Sequence, residues 1–251
     1  MILYEYPLNE RIRTYLRLEH LFRRLDTLVS RESALDHHYC LATLFEIMDV
    51  AARADLKTDM LKDLDRQKHV LNSYRDNPDI AQFVLDQVLS RLDGCFSTLN
   101  AVAGKAGQAL TENEWLMSLR SRINIPAGTC EFDLPAYCAW QHLDSATRRQ
   151  HLMQWTGSLT PFSLAIGLLL ELLRQAGTPQ KVMAVGGLYN RSLPQGRGYQ
   201  LLRLRIDSAL QLVPEISANR LIVSVRLMRH DVHARPQSTS DDAAFELALC
   251  A

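Results

Sequence analysis

Apolar side chains recur every three or four residues from Leu8 to about Gly177, a spacing that predicts α-helices. The first of them follows a short alternating segment, 2–6, which stops at Pro7. Its apolar face carries Leu8, Tyr15, Leu18, Phe22, Leu25 and Val29. This helix is expected to open directly after Pro7, and helical spacing predicts another from Ala34. Capping residues and prolines predict further helix starts at Asp55, Asn77, Thr111, Asp133, Ser145 and Thr160.

Three of these starts make specific predictions. Pro78 occupies the first position of a helix that buries Ile80, Val84, Val88, Leu92, Phe96 and Leu99. Thr111 and Glu114 form a capping box, and Ser145 caps a further helix. The adjacent His37 and His38 point in different directions and are expected at an exposed helix start.

After Pro179 the period changes to two, which predicts strands over 183–189, 199–207, 220–228 and 244–249. No helix fits between consecutive strands, so antiparallel pairing is expected. Segment 2–6 needs a strand partner and is expected to fold back onto this sheet, whereas 234–242 looks like an exposed loop. The fold class is α+β, with a large amino-terminal helical domain (8–178) and a carboxy-terminal antiparallel β domain (179–251) joined by the amino-terminal strand.

Composition narrows the class of protein. The chain of 251 residues has 28 basic and 28 acidic residues, so no net field attracts nucleic acid or anionic lipid. Its five cysteines form no disulfide framework and the amino terminus resembles no signal peptide, which favours a cytoplasmic protein with reduced thiols. The longest apolar run, 164–170, is far too short for a membrane span, so no direct membrane insertion is expected.

Arginine supplies 23 of the 28 cations. Arg13, Arg17, His20 and Arg24 form a stripe opposite the apolar face of the first helix. The segment 197–235 contains seven arginines, including Arg220 and Arg226, but only three acidic residues. Each set is either a docking surface or an ordinary solvated face, and arginine-rich codon usage also explains the bias.

Motifs for chemistry are missing from the sequence. Cys130, Cys138 and His142 do not have zinc spacing, and the paired glycines at 186–187 lack the following helix that a phosphate loop needs. No metal, no cofactor and no catalytic residue is therefore expected. The three tryptophans occupy core-like helical positions, although Trp140 also suits an aromatic pocket for a peptide.

Distinctive blocks of sequence follow one another along nearly the whole chain. They are Pro7-Leu-Asn-Glu-Arg-Ile-Arg-Thr-Tyr-Leu-Arg-Leu-Glu19, Leu61-Lys-Asp-Leu-Asp-Arg-Gln67, Arg120-Ser-Arg-Ile-Asn-Ile-Pro-Ala-Gly128, Cys130-Glu-Phe-Asp-Leu-Pro135, Trp140-Gln-His-Leu143, Pro214-Glu-Ile-Ser217, Ser224-Val-Arg-Leu-Met228 and Phe245-Glu-Leu-Ala-Leu-Cys250. No single block is a chemical motif, so the specificity lies in their number and order. Together these blocks resemble the ZapD family of bacterial cell division proteins.

The resemblance implies a cytoplasmic homodimer at the mid-cell division site that is not an enzyme. It implies binding to the carboxy-terminal tail of FtsZ, the tubulin-like division polymer, and bundling of FtsZ protofilaments in the Z ring. Basic family positions are matched by Arg13, Arg17, Arg53 and Arg226. Arg120, Arg122 and His142 also match, in either a binding or a structural role. Tyr6 stands where family members often have His, and Cys138 and Glu114 stand where some members carry His and Arg.

Two other functions stay open at this stage. The same arginines suit a nucleic-acid-binding protein, although zero net charge and the lack of a recognition motif disfavour that class. An enzyme with an unrecognised site would require a deep pocket lined by convergent polar groups.

Overall fold

The structure is a computed structural model that describes residues 1–52, 55–75, 77–194, 196, 198–219 and 221–251. The predicted α+β class is confirmed. The helices are α1 (Glu10–Val29), α2 (Ala34–Ala52), α3 (Leu56–Asn72), α4 (Gln82–Ala101), α5 (Gln108–Thr111), α6 (Glu114–Arg122), α7 (Pro135–Gln141), α8 (Ser145–Gly157) and α9 (Thr160–Gln175). The strands are β1 (Ile2–Pro7), β2 (Gln180–Ala184), β3 (Leu188–Ser192), β4 (Leu201–Ile206), β5 (Leu212–Ala218), β6 (Ile222–His230), β7 (Pro236–Ser238) and β8 (Ala243–Cys250).

The chain divides into two compact units, residues 17–169 and residues 1–16 with 170–251. We call them the helical unit and the sheet unit. The predicted domain boundaries of 8–178 and 179–251 stay a prediction about independently folding parts. Among the described residues, no single helix is long and apolar enough to cross a membrane. One bent pair, α8 and α9, has the required length and apolar content only when the two helices are taken together.

The apolar face predicted for α1 is largely the buried one. Tyr15, Leu18, Phe22 and Leu25 are buried, as the helical spacing requires. In the helical unit, the centre of the core is formed by long aliphatic side chains from several helices, with Leu41, Leu44, Met60, Leu92 and Leu116 almost completely buried.

The prediction for α4 was wrong at its start and in part of its face. The Asn77 side chain accepts a hydrogen bond from the Asp79 amide at 3.0 Å, and the Ile80 amide bonds the Asn77 carbonyl, which closes a local turn. The helix begins only at Gln82, and Val84 is 55% exposed. The buried positions are Leu85, Leu89, Leu92 and Leu99.

Two predicted caps also belong to neighbouring residues. Thr111 ends α5, and the side chain of Asn113 caps α6 by accepting a hydrogen bond from the Leu116 amide at 3.0 Å. Asp144, not Ser145, caps α8 and accepts from the Thr147 amide at 2.9 Å. In both cases the better acceptor lies close to the predicted threonine or serine in sequence.

The sheet unit contains two antiparallel sheets. One has the order β1-β4-β8-β2, and the other has the order β3-β6-β5 with β7 paired to β6. The expected return of the amino terminus is observed, because β1 pairs with β4 from Ile2 opposite Ile206 to Pro7 opposite Leu201. Inward side chains of both sheets, including Leu204, Val225 and Phe245, form one apolar cluster.

The segment predicted as a single strand over 183–189 is two strands in different sheets. Gly186 and Gly187, with φ of 58° and 72°, make the turn between β2 and β3. A Cβ on Gly187 would lie 2.0 Å from the Thr239 carbonyl oxygen, so this position requires glycine. The prediction also missed β5, which contains Pro214, and the short exposed β7 inside the expected loop 234–242.

Candidate functional site

The outer side of α1 carries the least constrained of the predicted site residues. Arg17 is exposed, and no described residue offers it a hydrogen bond or a carboxylate within 4.0 Å. His20, on the same side, is also exposed. Arg13 bonds Glu10 through its Nε at 3.1 Å, but Glu10 is 86% exposed, so solvent screens that pair. Arg17 therefore presents its charge to solvent.

Arg24 ends the predicted stripe in a different role. Its Nε donates to the Thr43 hydroxyl at 2.9 Å and its Nη2 to Glu46 at 2.5 Å, both on α2. These bonds fasten α1 to α2. The stripe inferred from helical spacing thus has two roles: Arg17 and His20 lie on the surface, whereas Arg24 bonds α1 to α2.

Arg120 and Arg122 lie on α6 and both have acidic partners within the helical unit. Arg120 Nη2 contacts Asp49 Oδ1 at 2.5 Å, which joins α6 to α2. Arg122 Nη1 lies 3.4 Å from Asp133 Oδ1, just before α7. Both guanidinium groups remain partly accessible, so these pairs position α6 without removing its charge from the surface.

Trp140 lies in an aromatic cluster of the helical unit, defined by Trp115, Tyr137, Trp140 and Trp155. Its ring centroid is 5.6 Å from that of Trp115 and 5.9 Å from that of Tyr137, and Trp140 is only 6% exposed. Its indole N–H donates to His151 Nδ1 at 3.2 Å. Neighbouring His142 is exposed and lies 2.8 Å from the Cys138 carbonyl oxygen at the end of α7.

In the sheet unit, four of the five arginines that the structure describes between 197 and 235 have carboxylate partners. Arg203, together with Arg174, bonds the half-buried Glu5 at 3.0 Å and 2.7 Å, respectively, which links β4, α9 and β1. Arg205 pairs with Glu246, and Arg229 with Asp241. Arg226 lies directly opposite Glu215 on β5, with Nη1 and Oε2 3.5 Å apart and both side chains exposed.

Two predicted site residues, Arg53 and Arg220, lie outside the described residues, as does Arg197. Of the predicted residues that are described, Arg13 and Arg226 belong to the sheet unit and Arg17, Arg120, Arg122, Trp140 and His142 to the helical unit. Within the helical unit, α6 and α7 are neighbours, because Trp115 of α6 packs on Trp140 and Arg122 of α6 contacts Asp133 just before α7.

A buried cation escaped the sequence analysis. Arg148 is 6% exposed and donates to the carbonyl oxygens of Glu32, Gln141 and Leu143 and to His37 Nδ1 at 2.9 Å. The expectation of an exposed His37 was wrong, because its side chain is fully buried and its Nε2 lies 2.8 Å from the Arg31 carbonyl oxygen. Only the pair Arg148-Arg149 marks this site in sequence, and it looks like a solvated face.

The described residues contain no cluster of three or more His, Cys, Asp or Glu side chains that could hold a metal ion. Burial raises the pKa of the Cys40 thiol to about 12 and also raises the pKa of Cys95 and Cys250. These thiols stay protonated at neutral pH and are poor nucleophiles.

Comparison with known proteins gives one consistent family. The family model of ZapD, a cell division protein, matches residues 16–226. The chain is 52% identical over 251 residues to the cell division protein ZapD of Ralstonia pickettii and 51% identical to that of Cupriavidus pinatubonensis. It is 47% identical over 250 residues to ZapD of Janthinobacterium sp.. Each comparison covers 100% of this chain and 99% of the relative.

Proposed function

The chain belongs to the ZapD family of cell division proteins, and we propose that its part in division is to bind FtsZ. In this proposal the protein acts in the cytoplasm at the mid-cell division site. It binds the carboxy-terminal tail of FtsZ and, as a homodimer, cross-links FtsZ protofilaments into the bundles that stabilise the Z ring. Its action is non-covalent, in keeping with relatives that are named cell division proteins and not enzymes.

The observation that carries the proposal is the unpaired, exposed guanidinium of Arg17 on α1. An arginine that already has a carboxylate partner must give up that partner to bind another, whereas Arg17 has none among the described residues. Its planar fork suits a carboxylate of a disordered, acidic tail. Of the other predicted arginines that the structure describes, Arg226 is 55% exposed and Arg122 48% exposed, and Arg13 follows at 35%.

Cross-linking follows from symmetry. A twofold dimer presents the same tail-binding surface twice, so one molecule can hold two filaments. Each site need only be modest, because many tails on one polymer raise the effective concentration for the second binding event.

The nucleic-acid alternative gains little from the structure. Arg203, Arg205, Arg226 and Arg229, which a basic nucleic-acid surface on the sheets would use, each contact a carboxylate. Strong phosphate binding requires several free cations, and the overall charge is zero. A DNA-shift assay at low salt distinguishes the two functions.

The test uses charge changes at two arginines of α1. Arg17→Glu is expected to weaken the binding of a fluorescent FtsZ tail peptide about tenfold and to reduce FtsZ bundles in a pelleting assay. Arg17→Gln should cause a smaller loss, up to about fivefold, because an exposed pair contributes little. Arg23→Gln is the matched control, since Arg23 lies about 120° further round the helix and pairs with Glu19.

Equal affinity of wild type and Arg17→Glu would remove Arg17 from the interface. A wild-type chain that neither binds the tail peptide nor pellets with FtsZ polymers would overturn the proposed function itself.

A further inference from the structure

The sheet unit contains a cleft of about 190 Å³, and none of the predicted site residues lines it. It lies where residues of both sheets meet the segments that precede β2 and β4. Its lining is Ala176, Thr178, Gln180, Arg191, Tyr199, Leu247 and Leu249. Gln180 of β2 and Leu247 of β8 are cross-strand partners, so they share one face of the first sheet.

Arg191 on β3 is the cationic group of this lining. Its Nη1 donates to the Gln180 side-chain oxygen at 3.1 Å, a neutral partner that holds the guanidinium beside the cleft. Among the residues that the structure describes, no carboxylate lies within 4.0 Å of it, in contrast to Arg203, Arg205, Arg226 and Arg229. Its remaining N–H groups are available to an anion.

The other side of the cleft is lined by apolar side chains of β8 that are only partly accessible. Leu249 packs against the core cluster and is partly buried, whereas Leu247, two residues away on the same face of β8, is a core residue that is 1% exposed. Tyr199 also packs against that cluster. A ligand that fits this lining has a carboxylate next to an apolar side chain.

We propose that this cleft is a carboxylate-binding site for a peptide, and that it receives an acidic residue of the FtsZ tail together with its apolar neighbour. The inference rests on the proposed function and adds a contact that the basic residues matched to the family do not supply. Arg191 holds the carboxylate through its planar fork, and the partly accessible Leu249 and Tyr199 contact the neighbouring side chain.

The composition of the lining favours a peptide over a nucleic acid. One guanidinium is enough for a single carboxylate, whereas affinity for a phosphate backbone grows with the number of cations that contact it. Tyr199 alone would have to stack bases, and single-strand binding uses several aromatic platforms.

The experiment measures binding of a fluorescent FtsZ tail peptide to the full chain and to four variants. Arg191→Gln is expected to weaken binding about tenfold, and Arg191→Lys less, because lysine keeps the charge but not the fork. Thr178→Phe narrows the cleft from an exposed position without changing charge, and should also weaken binding about tenfold. Arg235→Gln, an exposed arginine of the same unit outside the lining, should leave affinity unchanged.

A double-mutant cycle identifies the contact. Each acidic residue of the peptide is replaced in turn by its amide, and the loss is compared in wild type and Arg191→Gln. One replacement should weaken binding to wild type but have little further effect on Arg191→Gln.

Several results would overturn the cleft. If the wild type binds the tail but Arg191→Gln and Thr178→Phe bind it equally well, the cleft assignment is wrong while the proposed function stands. Arg191-dependent binding of a single-stranded oligonucleotide in place of the peptide would also contradict it. If the wild type neither binds the tail nor bundles FtsZ, the proposed function fails and this inference fails with it. Circular dichroism of every variant excludes unfolding as the cause of lost binding.

Discussion

Single arginine side chains in this chain occupy three different environments. Arg148 is buried and bonded to carbonyl oxygens and His37, Arg203 shares the half-buried Glu5, and Arg17 faces solvent. The first two satisfy their donors internally, so removing them would leave buried acceptors without partners. Only the third kind is free to bind another molecule without first breaking a contact.

His37 and Arg148 form a buried pair whose bonding depends on the neutral imidazole. The Arg31 carbonyl can only accept, so Nε2 carries the proton, and Nδ1 accepts from Arg148 Nε. If Nδ1 of His37 also carried a proton, its N–H would point at the Nε–H of Arg148 and the hydrogen bond between them would be lost. The pKa of His37 is lowered, chiefly by burial and further by the charges of Arg148 and Arg149. The hydrogen bond to the Arg31 carbonyl and the charge of Asp36 act in the opposite direction.

Stability is therefore expected to fall under acid conditions. Burial also lowers the pKa of His38, whose Nδ1 lies 2.7 Å from the Tyr137 hydroxyl. Both folded-state pKa values lie below the ordinary 6.5, so the unfolded chain binds more protons as the pH falls through about 6.5. The free energy of unfolding should decrease from pH 7.5 to pH 5.5, as measured by urea denaturation.

The variant His37→Gln removes one of the two histidines whose pKa burial lowers and should flatten this dependence. His20→Gln, which removes an exposed histidine, is the control with which its slope is compared. An unchanged slope in His37→Gln would contradict the role assigned to His37.

At the level of secondary-structure elements, neighbours across a strand pair determine what a surface charge can do. β5 and β6 place Glu215 directly opposite Arg226, an exposed pair that contributes less than about 1 kcal/mol. The pair is weak enough for Arg226 to exchange Glu215 for a carboxylate of a partner. It also means that a charge reversal at 226 changes the sheet as well as the proposed interface.

The two effects of Arg226→Glu can be separated. The reversal places two carboxylates opposite each other and should cost about 1 kcal/mol of stability as well as weaken tail binding. Adding Glu215→Arg should restore the urea midpoint but only part of the affinity for the FtsZ tail peptide, because the cation has moved to the neighbouring strand.

Glu215→Gln alone is the control. It frees Arg226 and should not weaken binding of the tail. Full recovery of both stability and affinity in the double variant would assign Arg226 a structural role only.

For the protein as a unit, its neutral net charge restricts attraction to local surfaces. Exposed arginines such as Arg17 and Arg226 act within about one Debye length, roughly 10 Å at 0.1 M salt. A cross-linker built on such contacts depends on having two of them at once.

Added salt should consequently disrupt the proposed FtsZ bundles at concentrations that leave the protein folded. Raising NaCl from about 50 to about 300 mM is expected to weaken tail-peptide binding severalfold and to reduce pelleted FtsZ bundles more steeply, since bundling requires both sites. Sedimentation of the protein alone at each salt concentration checks whether the proposed dimer forms and persists. Salt-independent affinity would point to apolar contacts as the main source of binding.

Local periodicity was sufficient for the α+β class, the buried face of α1 and the strand character of 2–6. The reason is that helices and strands repeat at 3.6 and 2 residues, and burial follows that repeat within each element. Turn chemistry was less certain: Asn77 closes a turn of its own and delays α4, and Asn113 replaces Thr111 as a cap. These outcomes depend on competition between neighbouring side chains for the same amide groups.

The sequence did not reveal which partners each arginine side chain contacts. Arg203 meets Glu5, and Arg148 meets Glu32 and His37, across separations of more than 100 residues. A guanidinium becomes a brace, a buried donor or a free binding group according to which acceptors the folded chain brings to it. Composition and spacing therefore identified the arginine-rich character of this protein, whereas distant packing selected Arg17 and Arg191 as arginines without acidic partners in the described structure.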